Sequence, residues 1–285
     1  MTKQPSKTLR RRRLGAALRA CRDAAGLTRE DVGEKLDCSG SKITRMENAD
    51  VGVRRSDLLA LLDIYGVGDQ EQREELLDLA RRSKETGWWQ KYSTLPGNYR
   101  QLIELESVAL SIRWYEQVVV PGLLQTADYA RAVIEAASPS NSPEEIDSKV
   151  EVRLNRQTLL TDNAEPPECW IILDEAALHR VIGNVKIMHA QMNHLTEMAK
   201  AKLVRLQVIP FEHGGHEAMT GAFTILRFDP PDPDIVYLEG MAGDIYLDQP
   251  EDIDRCSLVF DHLCAVAATP AQSRKVIAES ARRFA

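Results

Sequence analysis

The amino-acid sequence predicts an α+β protein in two parts. An all-helical N-terminal domain with a connecting helix occupies residues 1–86, and an α+β domain with a mostly antiparallel sheet occupies residues 87–285. Three observations predict this. At 285 residues the chain is long enough for two hydrophobic cores. Charge is divided unevenly: residues 1–55 carry fourteen Lys/Arg against seven Asp/Glu, which leaves 22 basic and 36 acidic residues for the rest. The net charge of −7 therefore conceals a basic head on an acidic body. Finally, apolar spacing is helical up to Trp88-Trp89, whereas short β-branched and aromatic runs alternate with helical patterns beyond it.

In chain order, Leu14, Leu18, Cys21 and Ala25 recur at helical spacing and define a first helix that stops at Gly26. Thr28 caps a second helix, with Asp31 three residues on as its capping-box partner, and Val32 and Leu36 form its inner face. Asp37-Cys38 makes a turn. Ser39 caps a third helix that turns Ile43 and Met46 inward. A fourth helix begins near Ser56, buries Leu58, Leu61, Leu62 and Tyr65, and ends at Gly66. A fifth starts at Asp69, capped back by Gln72, and carries Leu76, Leu77 and Ala80 up to Gly87.

Beyond the tryptophans, residues 98–110 read as helix and Ile112–Val120 as a strand ended by Pro121-Gly122. Gln125–Ala137 is helical. Ser142, Pro143 and Glu145 open another helix with a cap, a proline at the first position and a capping-box partner. Further strands are expected at Cys169–Leu173, Leu203–Ile209, Ala222–Phe228, Ile235–Leu238 and Asp244–Leu247. Helices lie at roughly 174–200 and 250–267, and Thr269-Pro270 caps a last one.

The segment from Leu27 to Asn48 is thus two short helices joined by a tight turn, the second basic and polar on its free face, which is a helix-turn-helix. Duplex DNA is the partner this predicts. Gly40, Ser41, Lys42, Thr44 and Arg45 are the outward positions that reach base edges, with Arg45 suited to fork onto a guanine. Arg29 at the start of the second helix, Arg54 and Arg55 after the third, and the run Arg10, Arg11, Arg12, Arg13 before the first are phosphate candidates. The bland alternative is a small bundle with a solvated basic face. Because DNA operators are two-fold, a homodimer is expected.

Residues 14–67 resemble the helix-turn-helix of the XRE (Cro/C1-type) repressor family through Gly26-Leu27-Thr28, Val32, Leu36, Ser39, Ser41, Ile43, Arg45, Glu47, Leu58, Leu62 and Gly66. The remainder is similar to the WhiJ-like branch of that family, regulators with a long C-terminal domain of uncharacterised function. Gly87 to Tyr92, Glu104-Leu105-Glu106, Tyr115-Glu116, Val120 to Ala130, Arg153 to Leu160, Leu173 to Glu175, Val208 to Phe211, Val236-Tyr237, Glu239-Gly240 and Asp261 carry the resemblance. It implies transcriptional control, and a small BldB-like protein partner in a toxin–antitoxin-like arrangement. Two positions depart from the family pattern: Gly40 stands where glutamine is frequent, and Arg29 where a polar amide is.

No signature of an enzyme emerges. There is no Cys-x-x-Cys, His-Glu-x-x-His, phosphate loop or Gly-x-Ser-x-Gly. His213-Gly-Gly-His216, with Cys169 or Glu217 as extra ligands, is the best metal candidate, yet it reads first as a loop between two strands, so no metal and no cofactor are expected. Asp174-Glu175 reads as paired acids or, equally, as helix-start residues. Cys256 and Cys264, eight apart on a helix, share a core face. Trp88 and Trp89 are too apolar to leave in water and are expected to anchor the connecting helix to the second domain. The basic N-terminus is not followed by an apolar stretch, no run spans a bilayer, and the five scattered cysteines suit reduced thiols, so a cytoplasmic setting away from membranes is expected. An enzyme or a small-molecule receptor in the second domain is the competing reading; bound metal would mark the first and an apolar pocket the second.

Overall fold

The computed structural model describes residues 7–82, 88–92, 95–163, 165–230 and 232–285, in two units, Met1–Gln90 and Lys91–Ala285. The N-terminal unit contains helices α1 (Lys7–Ala24), α2 (Arg29–Lys35), α3 (Gly40–Glu47), α4 (Arg55–Ile64) and α5 (Gln70–Arg82). The caps expected for α2 and α3 are present: Thr28 and Asp31 form a complete capping box, and the Ser39 side chain accepts from the Lys42 amide. Gly26 and Gly66, both at φ +68°, end their helices in the left-handed region that glycine adopts at low cost. Asp37, at φ 51°, makes the turn between α2 and α3. Leu14, Leu18, Val32, Ile43, Met46, Leu58, Leu61 and Leu62 close one core, each 3 % exposed or less. A buried leucine of this kind contributes about 1.5–3 kcal/mol by area removed from water.

In the N-terminal unit one boundary differs from expectation. The helix expected from Leu14 starts at Lys7, so Arg10–Arg13 are helical and do not form an arm ahead of it. Arginine is among the better helix formers, and Leu9, at 1 % exposure, gives the added turns a buried residue. The far end of the fifth helix, residues 83–87, lies outside the described residues.

The second unit holds α6 (Gly97–Val108), β1 (Ser111–Glu116), α7 (Ala127–Ala137), α8 (Pro143–Thr161), β2 (Glu168–Asp174), α9 (Ala176–His179), α10 (Val185–Lys200), β3 (Arg205–Ile209), β4 (Phe223–Arg227), β5 (Ile235–Leu238), β6 (Ile245–Leu247), α11 (Pro250–Val266) and α12 (Pro270–Arg283). The strands form one sheet in the order β3-β2-β1-β4-β5-β6. An α+β domain is therefore what the sequence folds into, but its sheet is mixed. The β1–β2 and β2–β3 pairs are parallel, with Ser111 opposite Glu168 and Trp170 opposite Arg205, while β1–β4, β4–β5 and β5–β6 are antiparallel. The cause is in the connections. Helices α7 and α8 carry the chain from β1 back to the start of β2, and α9 and α10 do the same for β3. The short links among β4, β5 and β6 only reverse it.

Strand β1 stops at Glu116, four residues before the expected end. There the Glu116 Oε1 accepts from the Gln117 and Val118 amides at 3.0 and 3.2 Å and takes the place of a strand partner. Helix α11 covers one sheet face, where Phe260 and Leu263 pack with Tyr115, Ile172, Ile225 and Val236. Trp114, one residue out of phase with Tyr115, lies beneath the guanidinium of Arg156 from α8.

Candidate nucleic-acid interface

Helix α3 fixes its outward residues because Ile43 and Met46 are locked in the core at 1 % and 3 % exposure. Ser41 and Arg45 are fully outward, whereas Gly40, Lys42 and Thr44 are half-buried. Two of the five are already engaged. The Lys42 Nζ lies 3.0 Å from Asp57 Oδ2 on α4, and the Thr44 hydroxyl donates to the Gly40 carbonyl at 3.1 Å. A Cβ on Gly40 would meet the Glu30 carboxylate at 3.0 Å and the Arg29 backbone at 3.4 Å, so the glycine lets α3 begin close against the start of α2.

Behind this surface lies a charged hub that sequence reasoning missed. Glu47, the last residue of α3, is 2 % exposed in its side chain. Arg22 from α1 grips both its oxygens, at 2.6 and 3.2 Å. Arg29 Nε reaches Oε2 at 3.1 Å, and Arg19 stands 3.9 Å away. The hydrogen bond to Glu47 holds Arg22 above its ordinary pKa. Nearby Tyr65 is buried, its hydroxyl has no hydrogen-bond partner among the described residues, and burial pushes it up to about 12. Arg29 thus belongs to a carboxylate, yet at 32 % exposure it still faces outward. The signal for the hub was a single glutamate at an inward helical position, flanked by arginines distant in sequence.

A second omission was glycine. A Cβ on Gly33 would sit 2.7 Å from the Cys38 carbonyl, and one on Gly15 would sit 2.3 Å from that of Glu47. These two positions let α2 meet the turn and α1 meet the end of α3. Among the remaining phosphate candidates, Arg54 and Arg55 are exposed at the start of α4. Arg10 is 5 % exposed, Arg11–Arg13 are half-buried, and the Arg11 guanidinium lies over Gly52.

Elsewhere, Trp88 and Trp89 meet edge to face at 5.8 Å on a short 3-10 turn. Trp88 keeps 38 % of its surface and Trp89 is half-buried. His213 is exposed, while His216 is tucked 3.4 Å from both Tyr115 Oη and Asp174 Oδ2. Among the described residues no three His, Cys, Asp or Glu side chains gather as metal ligands, and no helix is long and apolar enough to cross a membrane. Asp174 accepts from the Ala176 amide at the start of α9, whereas the Glu175 carboxylate lies 3.0 Å from His179 Nε2 and accepts from the Phe211 amide at 2.8 Å, so it does not cap the helix. Cys256 and Cys264 both face the core beneath α11, and burial raises each thiol, Cys264 to about 11.

Capped α2, left-handed turn, capped α3 and basic outer face define a helix-turn-helix DNA-binding regulator. The family comparisons agree: a helix-turn-helix domain model matches residues 13–76, and a model described as a domain of unknown function (DUF5753) matches residues 99–279. The second match spans more than half of the chain, which belongs to that family. No curated protein and no solved structure matches it.

Proposed function

We propose that the protein is a sequence-specific transcriptional regulator of the XRE type, in the WhiJ-like branch, that binds a two-fold operator as a cytoplasmic homodimer. Helix α3 supplies base readout. Ser41 and Arg45 lead, and Lys42 and Thr44 act after releasing Asp57 and the Gly40 carbonyl. Arg29, Arg54 and Arg55 hold phosphates, and Arg10–Arg13 contribute from the helical flank of α1. The observation that carries this reading is Arg45, an exposed guanidinium on a capped, core-locked recognition helix. In the same reading, a small BldB-like protein partner acts on the second unit, and Trp88 and Trp89 anchor the link between the two.

Arg45→Ala tests the readout. It should cost about 1–3 kcal/mol on the cognate duplex and relax preference at one base position. Selection of bound sequences from a random pool by the wild-type chain supplies the cognate site. Equal binding of every duplex by wild type and variant would reject specific readout through α3.

A further inference from the structure

The face of the sheet beneath α11 is not closed along its whole length. At one end it opens into a pocket of about 340 Å³. Its floor is apolar: buried Phe223 and Ala218, with Leu238, Leu247 and Val259 half-buried around them. These same side chains belong to, or pack against, the core under α11, so the pocket continues that core to the surface.

One wall is the loop from Glu217 to Ala222, and two tethers hold it in place. His216 is seated against Tyr115 and Asp174, and the Glu217 carboxylate lies 2.8 Å from His262 Nδ1 on α11. The space is therefore preformed, as small-molecule sites usually are.

Its rim is charged and unbalanced. Glu217, Glu239 and Asp252 face a single guanidinium, Arg255. Among the described residues, the side chains of Glu239, Asp252 and Arg255 make no hydrogen bond or ion pair with one another or with any other residue. An apolar floor wants an apolar body, and two carboxylates without cationic partners at the mouth want a positive head. The surplus of acidic residues in this part of the chain draws cations toward it and repels anions.

We infer that this pocket binds a small organic cation, a protonated amine carrying a compact aromatic or aliphatic body, with the amine at Glu239 and Asp252 and the body on Phe223, Leu238, Leu247 and Val259. This goes beyond the DNA-binding reading and stands or falls separately from it, because it is read by direct binding to the full-length chain.

The test uses three probes that share one apolar body: 2-phenylethylamine, 2-phenylethanol and 3-phenylpropanoate, titrated by calorimetry or by ligand-observed magnetic resonance. The amine should bind with a Kd below about 1 mM, as expected for a well-seated fragment. It should bind about tenfold tighter than the alcohol, with the carboxylate weakest. Glu239→Gln with Asp252→Asn should remove the preference for amine over alcohol and leave alcohol binding intact. Val259→Trp should abolish binding of amine and alcohol alike, and a melting curve for each variant separates lost binding from lost folding. The inference is overturned if the alcohol or the carboxylate binds as well as the amine, if no probe binds, or if the doubly neutralised chain, shown to be folded, keeps the amine preference.

Discussion

Both units bury a carboxylate against arginine, and they do so in opposite ways. In the second unit Glu106 and Arg156 form a bidentate pair sealed at 1 % and 4 % exposure, with Tyr99 and Trp114 against the guanidinium. In the N-terminal unit Glu47 is just as deeply set, but its partners grade outward, from Arg22 at 9 % through Arg29 at 32 % to Arg19 at 50 %. A sealed pair meets nothing but the protein, so its role is to fix how α6, β1 and α8 pack. A graded hub leads from the core to solvent at the start of α2. The difference teaches that burial of the acid alone does not separate the two sites; the exposure of its partners does, and the proposed phosphate role of Arg29 is where that difference would matter.

The largest effect expected from that contrast is at the sealed pair. Arg156→Ala leaves Glu106 charged, buried and unpaired, which should destabilise the second unit by about 3–5 kcal/mol. Replacing both partners with apolar residues, Arg156→Met with Glu106→Leu, should recover most of that loss, since a desolvated pair is worth little more than good packing. Denaturant unfolding of the two variants checks it. A double variant as unstable as the single one would mean that the pair contributes net attraction beyond the desolvation it incurs.

A smaller effect is expected at the open hub. Arg29→Ala removes one partner of Glu47 and leaves the two Arg22 hydrogen bonds in place. Stability should change by no more than about 1 kcal/mol, as for exposed ion pairs. DNA affinity should instead fall alike on all sequences, and the salt dependence of binding should lose about one unit of slope. Titration across salt concentrations reads the second effect and unfolding the first. A large stability loss with an unchanged slope would make Arg29 as structural as Arg156 and erase the distinction between the two carboxylates.

How much of this was legible in the sequence follows from the range of the forces involved. The head was legible because its signals are local: Thr28 with Asp31, Ser39, Gly26 and Gly66 each act within four residues and each sits where the structure needs it. The strands of the body were legible from β-branched runs, but their pairing was not fully so. Parallel β1–β2 joins residues more than fifty positions apart, and only the helical connection between them hints at direction. Charges misled for a related reason. The run Arg10–Arg13 reads as a loose arm when composition is considered alone, and becomes helix once Leu9 is buried. The Glu47 hub joins α1, α2 and α3, so no spacing within one helix announces it.

The smallest expected effect concerns a third half-hidden acid, which tests whether partners rather than depth decide the outcome. Among the described residues Glu116, at the end of β1, makes no ion pair; the Gln117 and Val118 amides donate to its Oε1, and the Trp114 side chain also favours its charged form. Burial pushes its carboxyl above the ordinary glutamate range, and the amide bonds pull it back only in part, while Glu239 adds a like charge. A carboxyl with a raised pKa in the folded state holds its proton after the unfolded chain has released it. Its contribution to stability is therefore complete below the ordinary glutamate value and is lost as pH rises through the folded one. Glu116→Gln cannot ionise and keeps an amide oxygen for the same two donors. Relative to wild type, the variant should gain melting temperature as pH rises above the ordinary glutamate value, with the two chains closest at the acid end. Parallel melting curves across that range measure the difference directly. If the variant instead lost ground as pH rose, the amide bonds would outweigh desolvation, and Glu116 would belong with Glu47 and Glu106 as an acid whose charge the fold stabilises.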